Sequence, residues 1–249
     1  MPAPSRIALV TGAGGAFGSA IARRLGNDGF TVVVTDAAVE RAAAVCATIP
    51  RSVPLHMDVS DDHSVTTAMA KVHETLGGLD VVVNNAGIAP TGGMTTTALA
   101  DFDRTMAINL RGAFVVSSAA MPHLLKSTAA RVIMIGSRTW LSGGNPAYTA
   151  SKAGVVGLCR TMAQELGETG GTCNVVAPGP VDTSFVDAMG MGGERVANFA
   201  RYARMTPMRR VATPEDVANA TAFFASADAS FITGEVLHVA GGLQLAPRL

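Results

Sequence analysis

Apolar and polar positions along the chain fall into two kinds of segment. Short apolar runs rich in Val and Ile, without clean polar alternation, recur at Ile7–Val10, Thr31–Thr35, Val53–Met57, Val81–Val83, Val132–Ile135, Cys173–Ala177 and Glu235–Val239. Such runs read as parallel strands covered on both faces. Longer stretches with helical spacing lie between them. One opens with Ala20, Ile21, Arg24 and Leu25, and another has Asp61 and Asp62 at its start, where the helix dipole favours acid. The longest runs from Ala98 to Leu125, and Ala147 to Leu166 follows the fifth run. Repeated β-α-β order predicts an α/β fold: a doubly wound, Rossmann-like parallel sheet of about seven strands with helices on both faces. No Pro-, Gly- or Ser-rich linker and no fixed-period repeat divides the chain, so residues 1–249 read as a single domain. The least regular stretch, residues 184–213, holds Met189, Met191, Met205 and Met208 among scattered Gly and Arg and reads as a substrate lid.

Composition narrows the function. Hydrophobic residues make up 48% of the 249 residues and charged residues 15%, which describes a globular protein with a large core. Lys plus Arg and Asp plus Glu both number 19, with no basic stripe or acidic tail. Nucleic acid and an anionic membrane surface are therefore not expected as partners. Cys46, Cys159 and Cys173 are widely spaced and form no CxxC pair, so reduced thiols in a cytoplasmic protein are expected and no metal is. Neither a signal peptide nor a membrane span is read in the chain.

The first strand runs into Thr11-Gly12-Ala13-Gly14-Gly15-Ala16-Phe17-Gly18 and then a helix. Glycines there allow a tight turn and close approach of backbone to an anion, and the helix start offers free N–H groups to a pyrophosphate. The next strand ends at Asp36, 18 residues past Gly18. A carboxylate at that point accepts the hydroxyls of an adenosine ribose and repels a 2′-phosphate, so NAD is favoured over NADP. The sixth strand ends in Pro178-Gly179-Pro180, with Thr183 beyond.

Tyr148 and Lys152 stand four residues apart in a helical pattern, one turn apart on one face. A nearby ammonium is expected to lower the phenol's pKa from its usual value near 10 and fit it for acid/base work. Ser137 directly follows the fifth strand, where its hydroxyl can bond a substrate oxygen, and Asn109 sits mid-helix, a position that suggests a polar task.

These residues resemble the short-chain dehydrogenase/reductase family over essentially the whole chain. The resemblance rests on Thr11-Gly12…Gly18, Asp58-Val59, Asn84-Asn85-Ala86-Gly87, Asn109, Ser137, Tyr148-x-x-x-Lys152, Asn174-x-x-x-Pro178-Gly179…Thr183, Pro214-Glu215-Asp216-Val217-Ala218, Thr233-Gly234 and Gly241-Gly242. It implies a catalytic tetrad. Ser137 would orient the substrate oxygen and Tyr148 would be the acid/base. Lys152 would hold the nicotinamide ribose, and Asn109 a relay water. It further implies a dinucleotide site of Gly12, Gly15, Phe17, Gly18, Asp36, Asp58, Val59, Asn85, Ala86, Gly87, Tyr148, Lys152, Pro178, Gly179, Val181 and Thr183, and a homo-oligomer, tetramer or dimer. Three departures stand out: Ala16 replaces the family's usual Gly, Ser137 and Tyr148 are only 11 residues apart, and Ala240 replaces an acid before the last Gly-Gly. The expected activity is hydride transfer between NAD and a secondary alcohol or ketone. The alternatives are an NADP-dependent ketone or 3-oxoacyl reductase, and a non-catalytic nucleotide-binding regulator. Trp140, Leu141, Met189, Met191, Phe199 and Tyr202 are candidates for an apolar substrate pocket.

Overall fold

The computed structural model describes residues 5–183 and 195–245. One seven-stranded sheet carries β1 (Ile7–Val10), β2 (Thr31–Asp36), β3 (Ser52–His56), β4 (Val81–Asn84), β5 (Arg131–Ile135), β6 (Thr172–Pro178) and β7 (Val236–Val239), and the strands fall within a residue of the apolar runs. All neighbours pair parallel, in the order β3-β2-β1-β4-β5-β6-β7. The order reverses between β1 and β4, which opens a crevice at their carboxyl ends.

The missing polar alternation has a direct cause. Ala8, Val10, Val32, Val34, Val81 and Val83 face one core, with α1 (Ala16–Asn27), α2 (Val39–Cys46) and α9 (Pro214–Ala225). Leu9, Val33, Val82, Val132, Met134 and Val175 face the other, with α3 (Asp62–Leu76), α5 (Gly112–Leu124) and α7 (Pro146–Gly167). Helix ends follow local chemistry. Asp61 caps α3 by accepting from the His63 N–H, and Gly77 ends it at φ +78°. Thr213 and Asp216 form a reciprocal capping box at α9, with Pro214 in its first turn.

The long helix expected from Ala98 to Leu125 is α4 (Leu99–Met106) and α5 joined through a π-helical turn, Ala107–Arg111. That widened turn carries Asn109, and such turns gather at functional sites. Between Ser137 and Tyr148 the chain makes α6 (Thr139–Ser142) and then turns on Gly143 and Gly144, whose φ values are +74° and +157°. Of the expected lid, residues 195–205 form α8, Phe199 is buried, and Val181 bridges to Ala212. Met189 and Met191 lie outside the described residues. Among the described residues, no helix is long and apolar enough to cross a membrane, and no group of His, Cys, Asp and Glu could hold a metal ion. Cys46, Cys159 and Cys173 are free thiols.

Close approach at the start of α1 makes Gly18 irreplaceable. A Cβ there would lie 2.4 Å from the Gly12 carbonyl oxygen and 2.6 Å from the Ala13 Cα, both backbone atoms. Gly18→Ala is expected to cost about 1–3 kcal/mol of stability, read as a lower urea midpoint at unchanged slope.

Candidate active site

The loop after β1 and the loop after β4 are tied together. The Thr11 hydroxyl accepts the N–H groups of Asn85 and Ala86, each at 3.0 Å. The Asn85 amide donates back to the carbonyls of Thr11 at 2.8 Å and Gly12 at 3.1 Å. Gly12 turns at φ +60°, and a Cβ there would come within 2.9 Å of the Ala86 Cα. Gly15 caps α1 with no side-chain bond, so the first N–H groups of the helix open toward the cavity that Gly15, Ala16 and Phe17 line. This cavity, of about 680 Å³, runs from Asp36 past Asp58, Val59 and Asn85 to Gly87, Tyr148, Lys152 and Thr183. Its glycine cradle and helix start suit a dinucleotide pyrophosphate.

At the far end, Asp36 closes β2. Its Oδ2 accepts the Gly14 N–H and its Oδ1 the Ala38 N–H, both at 3.0 Å. The Arg41 guanidinium stands 3.9 Å away and also lines the cavity. The Asp58 carboxylate accepts the Ser60 hydroxyl at 2.6 Å and its N–H at 2.9 Å, bonds that hold its pKa below the usual range. Val59 is buried against Gly112. The three departures are accommodated. Ala16 is exposed at the start of α1, Ala240 packs on Gly179 where a Cβ would already come within 2.9 Å, and α6 with its two glycines closes the short segment.

Tyr148 and Lys152 are positioned by the start of α7. Pro146 stands in its first turn, and the Asn145 side chain accepts the Tyr148 N–H at 3.1 Å. The same Asn145 amide donates to the carbonyls of Thr91 and Gly92 and to the Thr97 hydroxyl, binding α7 to the loop after β4. Asn145 escaped the sequence reading, although Asn directly before Pro is a recognisable cap signal. Both side chains are buried, and the Lys152 ammonium donates to the Ile135 carbonyl at 2.7 Å, on the last residue of β5.

The electrostatics differ from the expectation. Burial is the dominant influence on Tyr148 and pushes its pKa up to about 12; its hydrogen bond with Ser137 works the other way. Burial also pulls Lys152 down to about 8. Lys152 stands 5.7 Å from the Tyr148 ring centroid, but the lowering expected from its charge does not figure among the influences on the phenol, where desolvation dominates and only the Ser137 bond opposes it. Ser137 accepts the N–H and hydroxyl of Thr139, at 3.2 and 3.0 Å, which leaves its own proton for the phenol oxygen.

Asn109 is buried, and its amide is committed. Oδ1 accepts the Ile88 N–H at 2.8 Å, while Nδ2 donates to the Ile88 carbonyl at 2.8 Å and to the Ser151 hydroxyl at 3.1 Å. The side chain thus fixes the loop after β4 rather than reaching into the cavity. Gly87 lies between this amide and Lys152: a Cβ there would meet Asn109 Oδ1 at 3.2 Å and Lys152 Nζ at 3.6 Å.

A smaller pocket of about 130 Å³ adjoins the cavity at Tyr148 and Thr183. Pro178, Gly179 and Val181, expected at the cofactor, line this adjoining pocket, beside Ser137, Phe199 and Tyr202. Of the other pocket candidates, Trp140 stacks on His238 and Leu141 is exposed.

A family model described as enoyl-(acyl carrier protein) reductase matches residues 12–244. The (2S)-[(R)-hydroxy(phenyl)methyl]succinyl-CoA dehydrogenase subunit BbsD of Thauera aromatica is 34% identical, with 97% of each chain covered. The 3-oxoacyl-(acyl-carrier-protein) reductase FabG of Aquifex aeolicus is also 34% identical, over 96% of this chain and 97% of the relative. The crystal structure of a 3-ketoacyl-(acyl-carrier-protein) reductase from Brucella melitensis complexed with NADH superposes with a TM-score of 0.89 at 27% identity, covering 96% of this chain and 98% of that one. With Ser137, Tyr148 and Lys152 gathered at the end of a dinucleotide-shaped cavity, and with relatives matched along almost its entire length, the chain belongs to the short-chain dehydrogenase/reductase family and is an oxidoreductase.

Proposed function

We propose that the protein moves a hydride between NAD(H) and the oxygen-bearing carbon of a 3-oxoacyl or 3-hydroxyacyl thioester. The observation that carries the chemistry is the Ser137–Tyr148 hydrogen bond, placed where the large cavity meets the small pocket. The substrate class comes from the relatives. Two of them act, by name, on 3-oxoacyl groups or on a hydroxyl two carbons from a thioester carbonyl. They favour the 3-oxoacyl alternative over the plain secondary alcohol put first from sequence. NAD is supported by Asp36 at the ribose end and by the NADH named for the Brucella neighbour. A cytoplasmic location is supported by the free thiols of Cys159 and Cys173.

The nicotinamide ring supplies or accepts the hydride when bound. The chain's own residues manage the proton and the position. Ser137 and Tyr148 donate to the carbonyl oxygen and polarise it. Tyr148 delivers its proton as the alkoxide forms, and takes it back in the oxidative direction. Lys152, anchored on Ile135, meets the ribose and renews the tyrosine's proton. Asn109 and Gly87 hold the loop that lines this path.

Tyr148→Phe is expected to lower kcat by about 10²–10⁴-fold with NADH binding retained, as measured by NADH absorbance and fluorescence titration. Because the phenol stays protonated far above neutrality, ketone reduction should be flat across neutral pH. Alcohol oxidation should rise with pH as the phenolate fraction grows; a pH profile taken in both directions checks the sign.

The cofactor and substrate assignments are tested together by initial rates on acetoacetyl-CoA with NADH and with NADPH. A higher kcat/KM with NADH is expected. Asp36→Ala should narrow the gap, since it removes the carboxylate and leaves Arg41 beside the ribose site. Turnover of simple ketones but of no acyl thioester would return the assignment to a plain alcohol dehydrogenase. We also propose a homo-oligomer: Leu99 and Phe114 on the long helix, with Phe231 and Leu237 near the β7 edge, remain exposed. Sedimentation equilibrium should give a dimer or tetramer mass.

A further inference from the structure

The small pocket has an uneven electrostatic character. Its described lining is apolar or neutral, from Phe17, Pro178, Val181, Phe199 and Tyr202 to the hydroxyls of Ser137, Thr139 and Tyr148, with one charged exception: Arg138. This residue directly follows Ser137, and its backbone N–H is held by the Pro178 carbonyl at 2.9 Å, which fixes where the side chain starts. Arg138 is half-buried, and its guanidinium has no carboxylate or carbonyl partner among the described residues.

The other arginines near this pocket are engaged. Arg195 pairs with Asp182 at 2.7 Å, and Arg201 lies over the Tyr202 ring at 5.6 Å. No acidic side chain is among the described residues lining the pocket to neutralise Arg138. A guanidinium on an otherwise neutral pocket wall, with no counter-ion among the described residues, is matched best by a bidentate anion.

We propose that Arg138 is a specificity-determining residue and that the substrate carries a carboxylate a few bonds from the reacting carbon, seated on the Arg138 guanidinium while Ser137 and Tyr148 hold the carbonyl oxygen. The adjacency of Ser137 and Arg138 sets this arrangement: one residue binds the oxygen that reacts, the next binds the charge that identifies the molecule. The apolar walls contributed by Phe199 and Tyr202 cover the carbon chain between them. The inference deepens the 3-oxoacyl reading and rests on it for the reacting carbonyl. It adds that the acyl chain is a dicarboxylic one.

The test compares two N-acetylcysteamine thioesters matched in length, 3-oxoadipyl and 3-oxohexanoyl, which differ in a terminal carboxylate against a methyl group. The wild-type protein is expected to favour the 3-oxoadipyl thioester in kcat/KM by about 10- to 100-fold. Arg138→Met should bring that ratio near one while NADH titration shows an intact cofactor site, and Arg138→Lys should keep part of the preference. If R138M does not fold, Arg138→Gln carries the same comparison. A wild-type protein without preference for the acid, or a preference unchanged in R138M, overturns the proposal.

If neither thioester is reduced, the same contrast is made with levulinate against 2-pentanone. A preference for levulinate that depends on Arg138 then supports the carboxylate site and overturns the thioester reading. Binding is read independently of turnover from Trp140, the single tryptophan, two residues from Arg138. Quenching by levulinate in the wild-type protein but not in R138M supports the site, and equal titrations in both overturn it.

Discussion

The Thr11 hydroxyl ties together the two loops on which the whole site stands. The sheet's strand order reverses between β1 and β4, so the loops that leave these paired strands run to helices on opposite faces of the sheet. Thr11 accepts two N–H groups from the opposite loop, and Asn85 returns two bonds to the first. Gly12 then packs its Cα side directly on Ala86. The cavity floor follows from this closure, because Gly15 and Phe17 on one side and Ala86 and Gly87 on the other keep a fixed separation. From Ile88 the constraint passes through the Asn109 amide to Ser151 on α7, between Tyr148 and Lys152. Hydrogen bonds joined by the Ala86–Ile88 backbone therefore link the phosphate loop to the turn of α7 that carries Tyr148.

Burial then sets the chemistry. Enclosing Tyr148 and Lys152 in one apolar wall disfavours both charged forms, raising one pKa and lowering the other. For Lys152, the change from 10.5 to about 8 corresponds to about 3 kcal/mol against the ammonium. The lysine tolerates this because its amine donates to the Ile135 carbonyl. The two values, ordinarily close together, move apart to about 12 and about 8, so the protein holds the phenol as an acid and the lysine as a group that exchanges its proton easily. Such an arrangement suits the delivery of a proton to a carbonyl oxygen at neutral pH better than its removal from an alcohol. The Ser137 bond is the local influence that eases the reverse step.

Much of the fold was legible because parallel strands buried on both faces leave an unambiguous trace: each Val- and Ile-rich run became a strand within a residue of its expected limits. The glycine loop, Asp36 and the Tyr148–Lys152 pair were legible for a similar reason, since backbone geometry demands particular residues at fixed spacing. What escaped was set by tertiary contact. Nothing in the local pattern around Asn109 shows a π turn, which arises where the amide must meet Ile88 from a helix already packed on α7. The sign of the Tyr148 shift was misjudged because spacing reveals a neighbouring charge but not the depth of burial. Pro178, Gly179 and Val181, which the resemblance places at the cofactor, line the pocket that adjoins the large cavity, a division of space that no local pattern shows.

The short segment between Ser137 and Tyr148 now acquires a physical meaning. With only 11 residues to join the end of β5 to the first turn of α7, the chain fits one turn of helix and a Gly-Gly reversal. A longer connection could fold over the pocket and supply its own polar cover. This one keeps Trp140 stacked on His238 at the side and leaves Arg138 beside Ser137 on the pocket wall. Discrimination is thereby assigned to the Arg138 side chain that follows Ser137 and to the apolar face that α8 lays across the pocket. The backbone that places Ser137 also places the root of Arg138, so selection and reaction geometry are imposed by the same stretch of chain.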